Sequence, residues 1–249
     1  MMGAGIAAFL VATAFLTATL SGVFGMAGGL VLMGALAWVL PVSAAFVTHG
    51  ILQLVANGWR AVLHRQHIKW TVTAWFIIAT LLGAGFVSLF SLAPTRPLLF
   101  LLLGLVPMLV WLPKGWLQLD AAKRSHALIF GTVASILNLT AGVAGPFLDT
   151  LFVRTGLNRH EIVATKAAIQ SLNHLAKIAV YGSILASSSS VAMPPWWLFA
   201  LAIPASMLGT TAGGQILDRI SDVNFKSWTA WIVTGIGGFY LLKAAQLWL

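Results

Sequence analysis

Apolar stretches long enough to cross a lipid bilayer recur along the whole chain, and this feature restricts the fold more than any other. Inside a bilayer no water pairs with backbone N–H and C=O groups, so a spanning chain must be an α-helix or a closed β-barrel. The apolar runs are too long and too continuous for the alternating pattern of barrel strands. We therefore predict an all-α integral membrane protein.

The composition agrees with a membrane location. Hydrophobic residues make up 59% of the 249 residues, charged residues make up 8%, and the mean hydropathy is +0.95. In a soluble chain the net charge of +9 would suggest nucleic acid, but membrane proteins collect basic residues in short cytoplasmic loops, so no nucleic-acid partner is expected. The lack of cysteine excludes disulfides and Cys-ligated metal sites. We predict no cofactor and no metal, and we expect a multi-pass protein of a bacterial inner membrane.

Breaks at glycine, proline and charge clusters divide the chain into ten apolar segments within one transmembrane domain, residues 1–249. The second, fifth, sixth and seventh segments are short for a full span of about 20 residues, so some are expected to be broken or re-entrant half-helices. The chain would then have roughly eight to ten membrane segments. The predicted segments cover about residues 3–20, 24–40, 44–63, 70–92, 97–112, 126–140, 143–157, 161–186, 195–216 and 228–248.

The distribution of lysine and arginine predicts the orientation. If the loop at 64–69 is cytoplasmic and each segment reverses direction, Arg96 and Lys243 are the basic residues near the outside. This distribution follows the positive-inside rule. The basic residues then on the cytoplasmic side are Arg65, Lys69, Lys114, Lys123, Arg124, Arg154, Arg159, Arg219 and Lys226.

The sequence also contains an internal repeat. A shift of 117 positions places "THGILQLVANGWR", residues 48–60, on "TKAAIQSLNHLAK", residues 165–177, and "GMAGG" at 25–29 on "GVAGP" at 142–146. We predict one repeat at about 3–112 and another at about 126–248. Five segments per half is an odd number, so the halves must cross the bilayer in opposite directions. This inverted plan is typical of secondary transporters.

Polar residues form one stripe on the third segment and an equivalent stripe on the eighth. In a helix each stripe lies on one face, because its members follow at spacings of four, four and three. A charge that faces lipid near the helix centre costs about 2.5 to 3.5 kcal/mol, so the stripes should face each other or water. The first stripe is His49, Gln53, Asn57 and Arg60, and the second is Lys166, Gln170, His174 and Lys177.

The ionisable residues of both stripes are all basic, which favours a small anion as the ligand. Glu161 lies at a cytoplasmic helix end, and Asp149 belongs to the preceding segment. The two glycine-rich breaks favour the same ligand, since a helix that restarts there would present free N–H groups and the positive end of its dipole. Glycine in a membrane helix equally often serves only to let helices pack closely.

Several of these residues have simpler explanations. Arg60 lies near a helix end, where snorkelling to the interface is favoured over ligand binding, and His174 and Lys177 could reach the outer interface in the same way. Asp149 could form a structural pair with Lys166 or with Arg154 as readily as it could couple protons.

Two short patterns, each present twice, carry a family resemblance. The glycine-rich elements "GVFGMAGG" and "AGVAGP" are each followed by a helix start of the form A-x-x-T, in "AAFVTHG" and "IVATKAA". This arrangement resembles the TauE/SafE sulfite and organosulfonate exporter family, although His49 and Lys166 stand where that family usually has a small hydroxyl residue. The resemblance implies a permease for small sulfur-containing or carboxylated anions. It also implies pocket backbone at Gly25, Gly28, Gly29, Gly142 and Gly145, with side-chain ligands at Thr48 and Thr165.

We expect a secondary transporter that moves a small sulfur-containing or organic anion by alternating access, with export favoured by the family. A passive small-anion channel and an importer of a related anion remain alternatives, and a homodimer is compatible with the sequence. The predicted substrate-binding residues are Gly25, Gly28, Gly29, Thr48, His49, Gln53, Gly142, Gly145, Thr165, Lys166 and Gln170. The predicted coupling or pathway residues are Asn57, Asp149, Asn173, His174 and Lys177.

A coupling ion would be a proton or sodium, and His49 or His174 could link protons because histidine titrates near neutral pH. An intramembrane enzyme is not expected, because the chain has no His-Glu-x-x-His motif, no cysteine and no convincing Ser–His pairing. A retinal-type photoreceptor would need a Schiff-base lysine with a buried acid, such as Lys166 with Asp149. The internal duplication does not suggest that function.

Overall fold

A computed structural model of the chain describes residues 3–24, 27–111, 119–152, 155–187, 191, 193–217 and 222–249. Within these residues the chain forms ten α-helices and two short 3-10 helices and contains no β-strand. The prediction of an all-α protein is confirmed.

Each of the ten predicted segments corresponds to one helix. The seventh helix ends at 152 rather than near 157, and the tenth begins at 222 rather than near 228. Two 3-10 helices, Arg65–His67 and Val106–Trp111, follow the third and fifth α-helices. The α-helices are α1 Ala4–Phe24, α2 Ala27–Val39, α3 Val42–Leu63, α4 Trp70–Leu89, α5 Arg96–Leu105, α6 Arg124–Thr140, α7 Gly145–Phe152, α8 Arg159–Ala186, α9 Trp196–Leu217 and α10 Asp222–Trp248.

Helix length separates full spans from half-helices. By length and hydropathy, three stretches of the described residues could cross a bilayer: Ala4–Val23, Trp70–Leu89 and Trp196–Ile216. Helices α3 and α8 have 22 and 28 residues and are also long enough, but they are more polar because they carry the two stripes. Helices α2 and α7 have only 13 and 8 residues. They rise about 20 Å and about 12 Å, well short of a hydrocarbon core of about 30 Å.

The helices pack in pairs, and these pairs follow the symmetry expected from the internal repeat. The principal pairs are α1 with α9, α4 with α6, α3 with α8, and α5 with α10. In the two predicted repeats, α1 corresponds to α6 and α4 corresponds to α9, so the α1–α9 pair is equivalent to the α6–α4 pair. The α3–α8 and α5–α10 pairs each join a helix to its own counterpart. The packing of the described helices is therefore compatible with two equivalent halves.

Helices α3 and α8 run antiparallel. Gly50 of α3 lies against the His174 carbonyl and the Ile178 side chain of α8, whereas Gly58, two turns later, faces Ser171. Residue numbers thus rise along α3 as they fall along α8. Because α3 and α8 occupy equivalent places in the two repeats, their opposite directions agree with an inverted arrangement. The direction of each half through a bilayer stays a prediction.

Glycines allow the outer helix pairs to approach closely. A Cβ atom at Gly213 of α9 would overlap the Thr19 carbonyl and lie 2.7 Å from Cα of Gly22 in α1. A Cβ atom at Gly83 of α4 would lie 2.6 Å from Cβ of Ser135 in α6. Both distances are far below ordinary van der Waals contact, so these glycines serve helix packing.

A capping box fixes the start of α8. The Asn158 side chain accepts a hydrogen bond from the Glu161 backbone N–H, and the Glu161 carboxylate accepts one from the Asn158 N–H, both at 3.0 Å. Glu161 also pairs with Lys69, at an N···O distance of 2.6 Å. The Lys69 backbone N–H donates to Thr165 Oγ1 at 3.0 Å. These contacts hold the first turns of α8 against the connection between α3 and α4.

Candidate functional site

A small polar cavity lies between α3 and α8, where α2, α6 and α7 also reach the centre of the protein. Its volume is about 30 Å³, which is roughly the space of one water molecule. Five amide side chains and two imidazoles contribute most of its polar groups, and no acidic residue is among the described residues that line it. The lining residues are Gly29, His49, Gln53, Asn57, Ala134, Asn138, Val143, Ala144, Gly145, Leu148, Gln170, Asn173 and His174.

The two polar stripes meet at this cavity, as their common faces predicted. Three members of the first stripe and two members of the second line it, and Asn173 lies beside them. His49, Gln53 and Asn57 of α3 are buried, as is His174 of α8. Hydrophobic residues such as Val62 and Leu175 are exposed instead, so the polar faces are turned inward. The stripe residues that line the cavity are His49, Gln53, Asn57, Gln170 and His174.

Two helix N-termini also reach the cavity. Gly29 is the third residue of α2, Gly145 is the first residue of α7, and both line the cavity. The first N–H groups of a helix lack partners within the helix and carry the positive end of its dipole. The two half-helices therefore add positive electrostatic potential to a cavity that already lacks acidic groups.

A hydrogen-bond chain at one end of the cavity links the two glycine-rich breaks. Nε2 of His49 lies 3.0 Å from the Gly29 carbonyl oxygen. Because a carbonyl only accepts, Nε2 carries the hydrogen, and in the neutral ring Nδ1 is then an acceptor. Lys177 donates to this Nδ1 at 3.2 Å and to the Gly142 carbonyl at 2.7 Å. One histidine and one lysine thus join the two breaks.

Gly142 has a backbone requirement of its own. Its φ is +77°, a left-handed conformation that favours glycine, and it lies directly after α6. A Cβ atom there would lie 2.6 Å from Cγ of Met33. The turn at Gly142 aims its carbonyl at Lys177 and starts the connection that leads into α7.

Amide groups around the cavity hold one another in place. Nδ2 of Asn57 donates to the backbone and side-chain oxygens of Gln53, at 3.0 Å and 3.1 Å. Nδ2 of Asn138 donates to the Asn173 carbonyl at 3.2 Å, which ties α6 to α8. Since Gln53 accepts through Oε1, its Nε2 donors remain for another partner.

Some buried polar atoms near the cavity have no partner in the part of the chain that the structure describes. They include Nδ1 of His174, Oδ1 of Asn173 and Oγ1 of Thr48. His174 and Asn173 line the cavity, whereas Thr48 does not. An unpartnered buried polar atom is costly, so the cavity has hydrogen-bonding capacity that a ligand can use.

Other predicted residues lie away from the cavity lining. Lys166 forms an ion pair with Asp149, which confirms that pairing, with side chains 20% and 30% exposed. Nη2 of Arg60 is buried and has no hydrogen-bond partner among the described residues. Thr165 accepts the Lys69 N–H and does not line the cavity.

Gly28 packs against α1, where a Cβ atom would overlap the Thr17 carbonyl, so its role here is close helix contact. Gly25 and Arg154 lie outside the described residues. The expectation that His174 and Lys177 could snorkel to the outer interface is wrong, because both side chains are buried; His174 is 5% exposed, and Lys177 is 0% exposed. Donation to the Gly142 carbonyl holds Lys177 inside.

Sequence reasoning missed Asn138 and the apolar part of the lining. Asn138 is an amide within the apolar run "ASILNLTAG" just before the second glycine-rich break, a signal that could have identified it. The apolar lining residues carry no such signal, because apolar side chains in a cavity wall look the same in sequence as those in a hydrophobic core. These residues are Ala134, Val143, Ala144 and Leu148.

The sequence matches the family described as Sulfite exporter TauE/SafE over residues 10–240. The chain matches no curated protein and no solved structure at a significant level. The family match includes α2, α3, α6, α7 and α8, which together form the cavity. The chain is therefore a membrane protein that belongs to the TauE/SafE sulfite exporter family.

Proposed function

We propose that this protein is a multi-pass secondary transporter of the cell membrane that carries a small sulfur oxyanion or sulfonate, in the export direction, through the cavity between α3 and α8. The observation that carries the proposal is the cavity lining itself. It combines five amides, two imidazoles and two helix starts with no described acidic side chain. Such a lining offers N–H donors and a positive potential to an anion, and it contains no described carboxylate that would repel the anion.

Alternating access is supported by the paired arrangement of the helices. In inverted-repeat transporters the substrate site lies at the interface of the two halves, near the bilayer midplane, and is formed by broken helices. Here the half-helices α2 and α7 start at the cavity, and the antiparallel helices α3 and α8 form its two main walls. Rocking of one half against the other would open the cavity to each side in turn.

The size of the cavity supports such a movement. A space of about 30 Å³ holds about one water molecule, whereas sulfite has four non-hydrogen atoms and a sulfonate has more. A conformation with so little space fits the closed state of an alternating-access cycle, in which the walls formed by α3 and α8 separate before the anion binds.

Transport by proteoliposomes tests the proposal. The purified chain is reconstituted, and uptake of sulfite, sulfoacetate, taurine and short carboxylates is measured with the parent and with Gln170→Leu, which removes a polar group from the cavity. Gln66→Leu is the matched control, because Gln66 is exposed in the connection after α3. We expect saturable transport of at least one sulfur anion, a loss of about tenfold or more in Gln170→Leu and parental activity in Gln66→Leu.

Two results would contradict the proposal in different ways. If the parent moves none of these anions, the assigned substrate class is wrong. If Gln170→Leu transports like the parent, the cavity is not the binding site. Electrical recording separates a carrier from a channel, since ionic currents far above the turnover measured in liposomes would identify a passive anion pore.

A further inference from the structure

Three basic side chains form a buried cluster at one end of the cavity. His49, His174 and Lys177 are 1%, 5% and 0% exposed. The rings of His49 and His174 meet edge to face, with centroids 5.5 Å apart, and Lys177 donates to His49. We call these three residues the basic cluster. Ionisable residues at membrane depth are costly and generally serve a function.

No carboxylate compensates the basic cluster among the residues that the structure describes. The two ion pairs there, Lys69 with Glu161 and Lys166 with Asp149, involve other partners. A buried charge that lacks a counter-charge is strongly unfavourable. The cluster therefore needs either to remain uncharged or to receive a negative charge from a ligand.

Within the described part of the chain, the surroundings of Lys177 are otherwise neutral. From α3 it is approached by His49 and by the ring of Phe46, whose centroid lies 5.6 Å from Nζ. The connection between α6 and α7 contributes the Gly142 carbonyl. On its own helix lie His174 and Tyr181, and the Tyr181 hydroxyl donates elsewhere, to the Leu139 carbonyl at 2.6 Å.

The geometry of Lys177 accommodates two protonation states. Its two hydrogen bonds, to Gly142 and to His49, use two N–H groups, and an uncharged amine has two. An ammonium makes the same two bonds and has a third N–H. An added proton can also be placed on Nδ1 of His49, which would then donate to the amine. The basic cluster can gain or lose one proton without losing either contact.

We infer that the anion and a proton bind together, with the basic cluster taking up the proton when the anion enters the cavity. This inference rests on the proposed function and specifies its coupling ion. In the step, one N–H bond forms in the cluster as the anion arrives, and the same bond breaks when the proton and the anion leave. The proton comes from the surrounding water, so an O–H bond of the hydronium ion that delivers it breaks as the N–H bond forms and re-forms on release, and no oxidant or reductant is needed.

Within the cluster, His174 is the residue that contacts the anion. It lines the cavity, and its Nδ1 has no partner among the described residues. His49 also lines the cavity, but both of its ring nitrogens are already engaged. Lys177 lies behind the lining and acts through charge rather than by touching the anion.

Linkage gives this inference a measurable consequence. If one proton accompanies each anion, anion binding favours protonation and protonation favours anion binding by the same factor. The affinity for the anion should then fall by up to about tenfold for each unit by which the pH rises. This fall applies over the pH range in which the basic cluster is unprotonated when no anion is bound. At low pH, where the empty cluster already holds its proton, affinity should become constant.

Methanesulfonate is a suitable probe because it stays fully ionised across the useful pH range, whereas sulfite itself titrates near neutrality. Binding to the full-length chain in lipid nanodiscs is measured by calorimetry between about pH 5 and pH 9. Repeating the titration in buffers of different ionisation enthalpy counts the protons taken up. We expect the uptake of up to one proton per bound methanesulfonate. We also expect the affinity to fall by up to about tenfold for each unit by which the pH rises.

The outcomes separate this inference from the function on which it rests. Methanesulfonate that binds with the same affinity at every pH, without proton uptake, would overturn the proton inference and leave the transport proposal standing. Failure of both methanesulfonate and sulfite to bind at any pH would overturn both.

Two substitutions assign the proton within the cluster. Lys177→Arg keeps a permanent positive charge, and His174→Asn introduces the residue type that Asn57 provides at the equivalent place in the other repeat. Loss of proton uptake in either variant supports the basic cluster as the site of the proton. Full proton uptake in both variants overturns that assignment. Lys123→Arg and His67→Asn are matched controls outside the membrane core and should behave as the parent. If Lys177→Arg fails to fold, His174→Asn carries the test.

Discussion

Lys177 and His49 lie 128 positions apart in the chain, yet Nζ of Lys177 donates a hydrogen bond to Nδ1 of His49 over 3.2 Å. Nζ of Lys177 also donates to the Gly142 carbonyl, and Nε2 of His49 in turn donates to the Gly29 carbonyl. Four residues thereby connect helices α3 and α8 with both glycine-rich breaks. Any movement that separates α3 from α8 must break or rearrange this chain.

A negative charge placed in the cavity lining should weaken anion binding. Asn138→Asp introduces a carboxylate into a lining in which the described residues include no acid, and repulsion at close range in a poorly solvated site exceeds 1.4 kcal/mol. We expect the Kd for methanesulfonate at neutral pH to rise by about tenfold or more.

Asn138→Ser is the control for that substitution, since it shortens the side chain without adding charge. It should weaken binding much less than Asn138→Asp. Equal affinities for the aspartate variant and the parent would show that the anion binds elsewhere.

The pair of α1 and α9 should tolerate no side chain at Gly213. Gly213→Leu forces atoms into the Thr19 carbonyl and Gly22, and overpacking of this kind typically costs about 1 to 3 kcal/mol. We expect the midpoint of thermal unfolding in detergent to fall by several degrees. Gly214→Leu is the matched control, because no described atom beyond the adjoining backbone of α9 lies within 4 Å of a Cβ at Gly214. Equal midpoints for the two variants would contradict the packing described here.

The pair of Lys166 and Asp149 should contribute modestly to stability. Their side chains are 20% and 30% exposed, so solvent screens part of the attraction. A double-mutant cycle with Lys166→Met and Asp149→Asn should give a coupling free energy of about 0.5 to 2 kcal/mol in chemical unfolding. A coupling energy of zero within error would mean that the two side chains do not interact in solution.

The positions of the helices and the meeting of the stripes followed from the sequence because periodicity determines which face of a helix is polar. His49, Gln53 and Asn57 had to be buried together, since lipid cannot solvate them. The repeat then indicated the partner helix, because an equivalent stripe occurs on α8.

The details of contact could not be predicted from periodicity. Spacing places Lys177 on a face but does not reveal that its acceptors are Gly142 and His49, which depend on the turn after α6. A glycine in the sequence likewise does not show whether it lines a cavity or allows helix packing. Gly29 lines the cavity, whereas its neighbour Gly28 packs on α1. Close helix approach and substrate access both require a missing side chain, and the sequence pattern is the same for both.

A reversible cross-link between α3 and α8 tests whether anions pass between these helices. A Cβ atom at Gly58 would lie 3.8 Å from Oγ of Ser171, a separation compatible with a disulfide in Gly58→Cys/Ser171→Cys, and the parent chain has no cysteine to interfere. Gly58→Cys/Ser183→Cys is the control, because position 183 lies three turns further along α8 and should form no cross-link.

The decisive measurement is sulfite transport by Gly58→Cys/Ser171→Cys proteoliposomes before and after reduction. We expect that the oxidised, cross-linked protein is inactive and that a reducing agent restores transport to the level of the untreated control pair. Transport at the full parental rate by fully cross-linked protein would contradict this expectation, because the walls of the cavity could then not have separated.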